Sequence, residues 1–126
     1  MTVQEAIKSF SQSEKAKAGI IWLSQLIEMT LGLPENEKPG TEKLIKILLG
    51  MVVQEIRLAI KTSDDTAWKE AEKRVDLAFV MANSGVLHEA TFHLTRALSQ
   101  VTTIGHRSLT FLTDQGLFDP ASANPL

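Results

Sequence analysis

The sequence predicts an all-α fold, an antiparallel up-and-down four-helix bundle with a short extra N-terminal helix. Three observations lead to this prediction. Apolar residues recur at spacings of three and four, which is typical of amphipathic helices. No segment shows the alternation of apolar and polar residues that half-buried strands require. The four prolines leave the whole stretch from Gly40 to Asp119 uninterrupted. A chain of 126 residues can form one core, so we expect a single domain over residues 1–126.

The composition excludes several classes of protein. Thirteen basic residues against 15 acidic ones give a net charge of −2, so neither nucleic acid nor an anionic membrane is an expected partner. The absence of cysteine excludes disulfides, thiolate metal sites and cysteine nucleophiles. No apolar stretch is long enough to span a bilayer, and the N-terminus does not resemble a secretion signal. We therefore expect a cytoplasmic protein without a cofactor.

The first helix carries two apolar stripes on roughly opposite sides. One consists of Val3, Ile7 and Phe10, and the other of Ala16, Ile20, Leu23, Ile27 and Leu31. A capping box over residues 11–14 lies where the phase changes. We therefore predict a short N-terminal helix, a break near residues 11–13 and a main helix to about Leu31. Residues 1–12 would form a detachable amphipathic element whose stripe is an interface. The alternative is one long helix whose N-terminal stripe meets a second chain.

Three further helices follow. A polar loop bounded by Pro34 and Pro39 precedes the second helix, which we expect to be capped by Thr41 and to reach about Lys61. Short connections at residues 62–65 and at 84–85 predict a third helix over about 65–83 and a fourth over about 86–114. A kinked continuous helix through residues 84–85 is the alternative there. Residues 115–126 are expected to form a loose tail.

The third and fourth helices have clear apolar stripes. The stripe of the third consists of Trp68, Ala71, Val75, Ala78, Phe79 and Ala82. That of the fourth consists of Leu87, Thr91, Leu94, Leu98, Val101, Gly105, Ser108 and Leu112. Their alternating spacing favours the shallow crossing angles of a bundle. Trp22 lies off the main stripe of the first helix, and we interpret it as a filler of the core or of an interface.

Glu55 is the most informative single residue, because it projects from the apolar side of the second helix. A carboxylate in such a place has to be paired, hydrogen-bonded or protonated. It could act as a general acid or base or bind a cation. The simpler explanation is a structural pair with a basic residue of another helix, or a carboxylate at a solvated seam between helices.

The histidines of the fourth helix do not form a recognisable metal motif. His88 and His93 are five residues apart, and their side chains therefore diverge by about 140° around the helix. Glu89 and His93 could supply two ligands from one turn, but the others would have to come from Glu55 or Glu28 on other helices. No Glu-x-x-His motif of the carboxylate bundles is present. We predict no metal site.

The fourth helix has an outer face that is nearly free of charge. It carries Phe92, Thr95, Ser99, Thr102, Thr103, His106, Thr110 and Thr113. Outward faces are normally rich in Lys and Glu, so this face indicates contact with another chain, with the N-terminal element or with a polar ligand, unless it is simply an exposed face of unusual composition.

The sequence therefore predicts a non-enzymatic interaction module, such as an adaptor, subunit or regulatory bundle, that acts through this face. A homodimer is expected, because the second helix is apolar on nearly all sides and the third on two. The runner-up is a small-molecule- or metal-binding bundle with Glu55 at an internal site, conceivably an enzyme. The candidate binding residues are Glu55, Glu89, Phe92, His93, Thr103 and His106.

Overall fold

The computed structural model describes residues 1–63 and 65–117. They form four α-helices, α1 (Val3–Leu31), α2 (Lys38–Thr62), α3 (Ala67–Asn83) and α4 (Leu87–Asp114). No strand occurs among these residues, and the predicted all-α class is confirmed. None of the described helices combines the length and the hydropathy that crossing a bilayer requires.

The helices form a bundle in which each one lies beside two others. The backbone of α1 adjoins α2 and α4, and that of α3 adjoins the same two helices. Within the described residues the backbones of α2 and α4 do not come close to each other. The buried apolar side chains of all four helices form one cluster, in which Trp68 is the largest. Its indole Nε1–H donates to Ser9 Oγ at 3.3 Å, which links α3 to α1 across the core.

Helix α1 corrects the predicted N-terminal break. The helix continues through residues 11–13, and its capping box is formed by Thr2 and Glu5 instead. Residues 3–12 are therefore part of α1 and not a separate N-terminal helix, in agreement with the alternative of one long helix. The buried stripe is continuous and consists of Ala6, Ser9, Ser13, Ala16, Ile20, Leu23, Ile27 and Thr30. Its N-terminal half consists of small residues, which a search for large apolar side chains does not detect.

The small residues of α1 allow a close approach of the neighbouring helices. A Cβ built on Gly105 of α4 would lie 2.5 Å from Ser13 Oγ, so only glycine fits there without movement. A Cβ on Gly19 would lie 2.9 Å from a methyl group of Val52. The stripe of Val3, Ile7 and Phe10 is consequently turned away from the core, and Ile7 is exposed while the other two are half-buried.

Helix α2 begins earlier than predicted. Lys38 and Pro39 form its first turn, where proline is favoured because its missing N–H would have no partner there anyway. Thr41 does not cap the helix, since its hydroxyl donates to the carbonyl of Lys38 at 3.0 Å. The predicted end near Lys61 agrees with the observed end at Thr62 to one residue.

Helices α3 and α4 agree closely with the predicted boundaries. They are separate helices joined by a turn, in which Gly85 adopts a φ of 78°. The kinked continuous helix is therefore excluded. In α4 the stripe is completed by Ala90, Ala97 and Ile104, while the predicted Thr91 and Leu98 are only half-buried. Residue 64 of the predicted connection and residues 118–126 of the predicted tail lie outside the described residues.

Candidate functional site

A groove with a mainly apolar lining lies between α1 and α2. We call it the Trp22 groove, and it has a volume of 320 Å³. Its lining consists of Lys15, Ala18, Gly19 and Trp22 from α1, and of Leu48, Met51, Val52 and Glu55 from α2. Trp22 is 65% exposed and Met51 is 59% exposed, which is unusual for side chains of this size. The groove thus combines large accessible apolar side chains with one base and one acid.

The position of the groove follows from the packing of the two helices. Gly19 lets α1 approach Val52 of α2, which brings the two backbones together at the floor. Trp22 lies between the core positions Ile20 and Leu23 in sequence, and its side chain therefore points away from the core. Helix α2 adds a second apolar stripe beside its core stripe. This outer stripe consists of Leu44, Ile47, Met51 and Leu58, all of which are exposed.

Glu55 is half-buried at one end of this groove. Gln12 of α1 donates through Nε2 to Glu55 Oε2 at 3.0 Å and to the Glu55 carbonyl at 2.8 Å. The carboxylate therefore has a hydrogen-bond partner, which is an amide of the neighbouring helix rather than a cation. Lys15 lines the same groove and gives it a positive charge beside the negative one.

Glu89 and His93 lie near the start of α4, away from Glu55. Since α2 does not adjoin α4, Glu55 is not available as a third ligand to an ion held by this pair. Across residues 1–63 and 65–117, no three His, Cys, Asp or Glu side chains are placed to hold a metal ion. The ring of Phe92 instead contacts that of His93 edge to face, with centroids 5.5 Å apart, and Arg96 lies 5.2 Å from the Phe92 ring centroid. This is a favourable cation–π distance.

His106 and Phe10 come together in a smaller groove between α1 and α4, of 190 Å³. Glu14, Lys17 and Thr102 are among its other lining residues. Thr103 lies instead in a recess between α3 and α4. The predicted candidates therefore fall into separate places: Glu55 at the Trp22 groove, Phe92 and His93 near the start of α4, and His106 with Phe10 farther along.

The uncharged outer face of α4 is exposed for most of its length. Phe92 is 51% exposed, and only Thr113 of the predicted face is half-buried. The hydroxyls of Thr95 and Thr103 donate to carbonyls one turn earlier in the same helix, at 3.0 Å each. Because these donors are used within α4, the face presents less hydrogen-bonding capacity than its composition implies.

Of the residues that line the groove, only Glu55 was among the predicted binding residues, and Trp22 was interpreted only as a filler of the core or of an interface. The signal that could have identified Trp22 is a large aromatic residue off the core stripe of an otherwise regular helix.

Comparisons with protein-family models, with curated protein sequences and with solved structures give no match. The outer stripe of α2 lies beside Trp22 and extends the apolar surface beyond the groove.

Proposed function

We propose that the protein is a non-enzymatic interaction module, a helical bundle that binds other protein chains through its surface. The single observation that carries the proposal is the exposure of Trp22 beside the groove between α1 and α2. Monomeric proteins rarely leave contiguous apolar patches of more than a few hundred Å² in water, and such patches mark interaction sites. Tryptophan is also enriched among the residues that dominate binding energies.

The free energy available at this surface is substantial. Because Trp22 is 65% exposed, it offers roughly 130 Å² for burial. At about 25 cal/mol per Å², covering it contributes about 3 kcal/mol before the costs of association. Met51 and the rest of the outer stripe add to this value.

The uncharged face of α4 serves in this proposal as a second binding surface for a protein partner. Its low charge suits the centre of an interface, from which Lys and Glu are depleted. Phe92, which contacts His93 and lies beside Arg96, provides an exposed aromatic side chain. The grouping of these three side chains on one turn supports Phe92 as the central residue of that surface.

We further propose that the bundle is antiparallel and up-and-down, and that the protein is cytoplasmic. Contacts along the chain support the topology. Ser13 of α1 lies against Gly105 of α4, and Gln12 of α1 binds Glu55 near the end of α2. Arg107 near the end of α4 pairs with Asp65, two residues before α3 begins. Each pair joins the start of one helix to the late part of its neighbour, as short connections between antiparallel helices require. The lack of cysteine fits a reducing compartment.

Charge substitutions on each surface test the interaction. The tagged full chain is used to capture partners from an extract of its source cells, with Trp22→Glu, the double variant Phe92→Glu/Thr103→Glu, and Gln4→Glu as an exposed control. We expect each of the first two to lose specific partners that the control retains. If both retain every partner while circular dichroism shows native helix content, the proposal is refuted.

A small-molecule-binding bundle with Glu55 at its site is the second candidate. The observation that favours it is the Trp22 groove itself, whose volume lies at the lower end of the range of about 300–1,000 Å³ for ligand pockets. An apolar molecule bearing an amine would suit its chemistry. Native mass spectrometry of the purified protein tests this candidate, and Glu55→Gln should then release the bound molecule.

A further inference from the structure

The Trp22 groove and the outer stripe of α2 form one continuous candidate surface. Leu44, Ile47, Met51 and Leu58 follow one another at spacings of three, four and seven residues, so they lie on one side of α2. Met51 also lines the groove beside Trp22. The surface therefore presents an outward apolar stripe on α2 beside the exposed Trp22 of the neighbouring α1.

We propose that this surface binds a second copy of the chain, which makes the protein a two-fold symmetric dimer packed through α1 and α2. This inference names the partner of the surface and so rests on the proposed interaction function. In the dimer α1 of each copy faces α2 of the other, and the two-fold axis runs parallel to the helix axes. The four helices at the interface then form a bundle of their own.

The charges of the groove are compatible with such a self-association. A two-fold interface places the same patch on both copies, so a patch of a single sign would repel itself. This groove carries Lys15 on α1 and Glu55 on α2. With α1 opposite the α2 of the partner copy, Lys15 of each chain faces Glu55 of the other. Gln12 holds the Glu55 carboxylate in place through its 3.0 Å hydrogen bond.

The two helices that carry the surface are together about as large as a standard protein interface. Helix α2 has 25 residues and is therefore about 37 Å long at 1.5 Å per residue. Two adjacent helices, each about 10 Å across, give a face of roughly 750 Å². A standard protein interface buries about 800 Å² on each partner. The centre of this face consists of Trp22 and Met51, which are the kind of side chains enriched at interfaces.

The first experiment measures the mass of the full chain in solution by light scattering coupled to gel filtration at about 50 μM. We expect about twice the 13.9 kDa of the chain for the wild type. Trp22→Glu and Met51→Lys should each shift the mass to that of the monomer. Val80→Glu is the matched control, because Val80 is 54% exposed on α3, outside the surface. It should stay dimeric.

Exchanging the two charges tests whether Lys15 of one copy faces Glu55 of the other. Lys15→Glu and Glu55→Lys should each weaken the dimer at least tenfold when present alone, because like charges then face each other. A mixture of the two variants should form a heterodimer, in which both sites carry matched charges. Circular dichroism of each variant establishes that the helices are intact.

The possible outcomes separate this inference from the proposed function. A wild-type monomer at 50 μM overturns the dimer, while loss of other partners in Trp22→Glu would leave the interaction function standing. A wild-type dimer that Trp22→Glu and Met51→Lys leave intact, or that Val80→Glu disrupts, overturns the assigned surface. Single charge variants that stay fully dimeric overturn the Lys15–Glu55 register.

Discussion

Substitution of Gly105 by alanine tests the close contact between α1 and α4. The added Cβ would lie 2.5 Å from Ser13 Oγ and 3.2 Å from Ser13 Cβ. The hydroxyl is held in place because it donates to the Phe10 carbonyl at 2.7 Å. Gly50 in α2 is the matched control, since a Cβ there meets nothing within 4 Å. Both glycines lie inside helices, so alanine should change the helix propensity equally at the two positions. The two substitutions then differ mainly in the space that is available to the new methyl group.

Gly50→Ala should raise the free energy of unfolding, whereas Gly105→Ala should not. Replacing glycine by alanine inside a helix stabilises it by about 1 kcal/mol, and Gly50→Ala should show this gain. At Gly105 the same gain is opposed by overpacking, which costs about 1–3 kcal/mol. We therefore expect Gly105→Ala to be up to about 2 kcal/mol less stable than the wild type. The two variants should differ by about 1–3 kcal/mol, or about 4–12 °C in Tm.

Urea and thermal unfolding, followed by circular dichroism at one protein concentration, measure the difference. A constant concentration is needed because self-association would make Tm depend on it. Ser13→Ala removes the hydroxyl that the new methyl group would strike, so Gly105→Ala should cost less in that background. The coupling energy between the two sites should be about 1 kcal/mol. If Gly105→Ala stabilises the protein as much as Gly50→Ala does, the close packing of α1 on α4 is refuted.

Three further substitutions test the core and the seam between α1 and α2 by urea unfolding. Leu94→Ala, at a fully buried position, should cost about 2–5 kcal/mol, and a loss below 1 kcal/mol would contradict its burial. Ser9→Ala should cost about 1–3 kcal/mol because it leaves the buried indole N–H of Trp68 without an acceptor, whereas the same change at the exposed Ser11 should have little effect. Gln12→Ala should cost about 1 kcal/mol because its two hydrogen bonds to Glu55 are half-buried, and an unchanged midpoint would show that they contribute nothing.

Helices α2, α3 and α4 could be predicted from the sequence because their signals are local. The ends of α3 and α4 were predicted to within two residues, since the connections between them contain the residues that turns require. Gly85, with its φ of 78°, is such a residue. The start of α2 was predicted four residues late, because Thr41 is a good capping residue by type but Pro39 already fits the first turn.

Helix α1 could not be predicted in the same way because two readings compete in its sequence. Residues 2–5 and residues 11–14 both fit the capping-box pattern, and the structure uses the first. The large residues Ile7 and Phe10 lie off the main apolar stripe of α1. They suggested that the stripe changes sides near residues 11–14, where the second capping-box pattern lies. The structure used depends on contacts with residues far away in sequence, since Ser9 binds Trp68 of α3 and Ser13 lies against Gly105 of α4.

The candidate site could be predicted only in part, for a related reason. The unusual position of Glu55 was visible from the pattern of α2, but its partner Gln12 was not, because the pairing depends on the register between two helices. Trp22 was recognised as lying off the core stripe without being recognised as exposed. Exposure is a property of the assembled bundle, since a residue at the flank of one helix can be covered by the next.

The outer stripe of α2 sets a stronger constraint on function than any polar side chain does. A four-helix bundle needs one buried stripe from each helix, and α2 supplies that stripe with Ile45, Leu49, Val52, Ile56 and neighbouring residues. Leu44, Ile47, Met51 and Leu58 are therefore not required for the core of the chain described here. In water they carry the cost of exposed apolar area and a risk of non-specific association. A specific contact along this stripe removes both costs, which is why its occupant is the first property of this protein to determine.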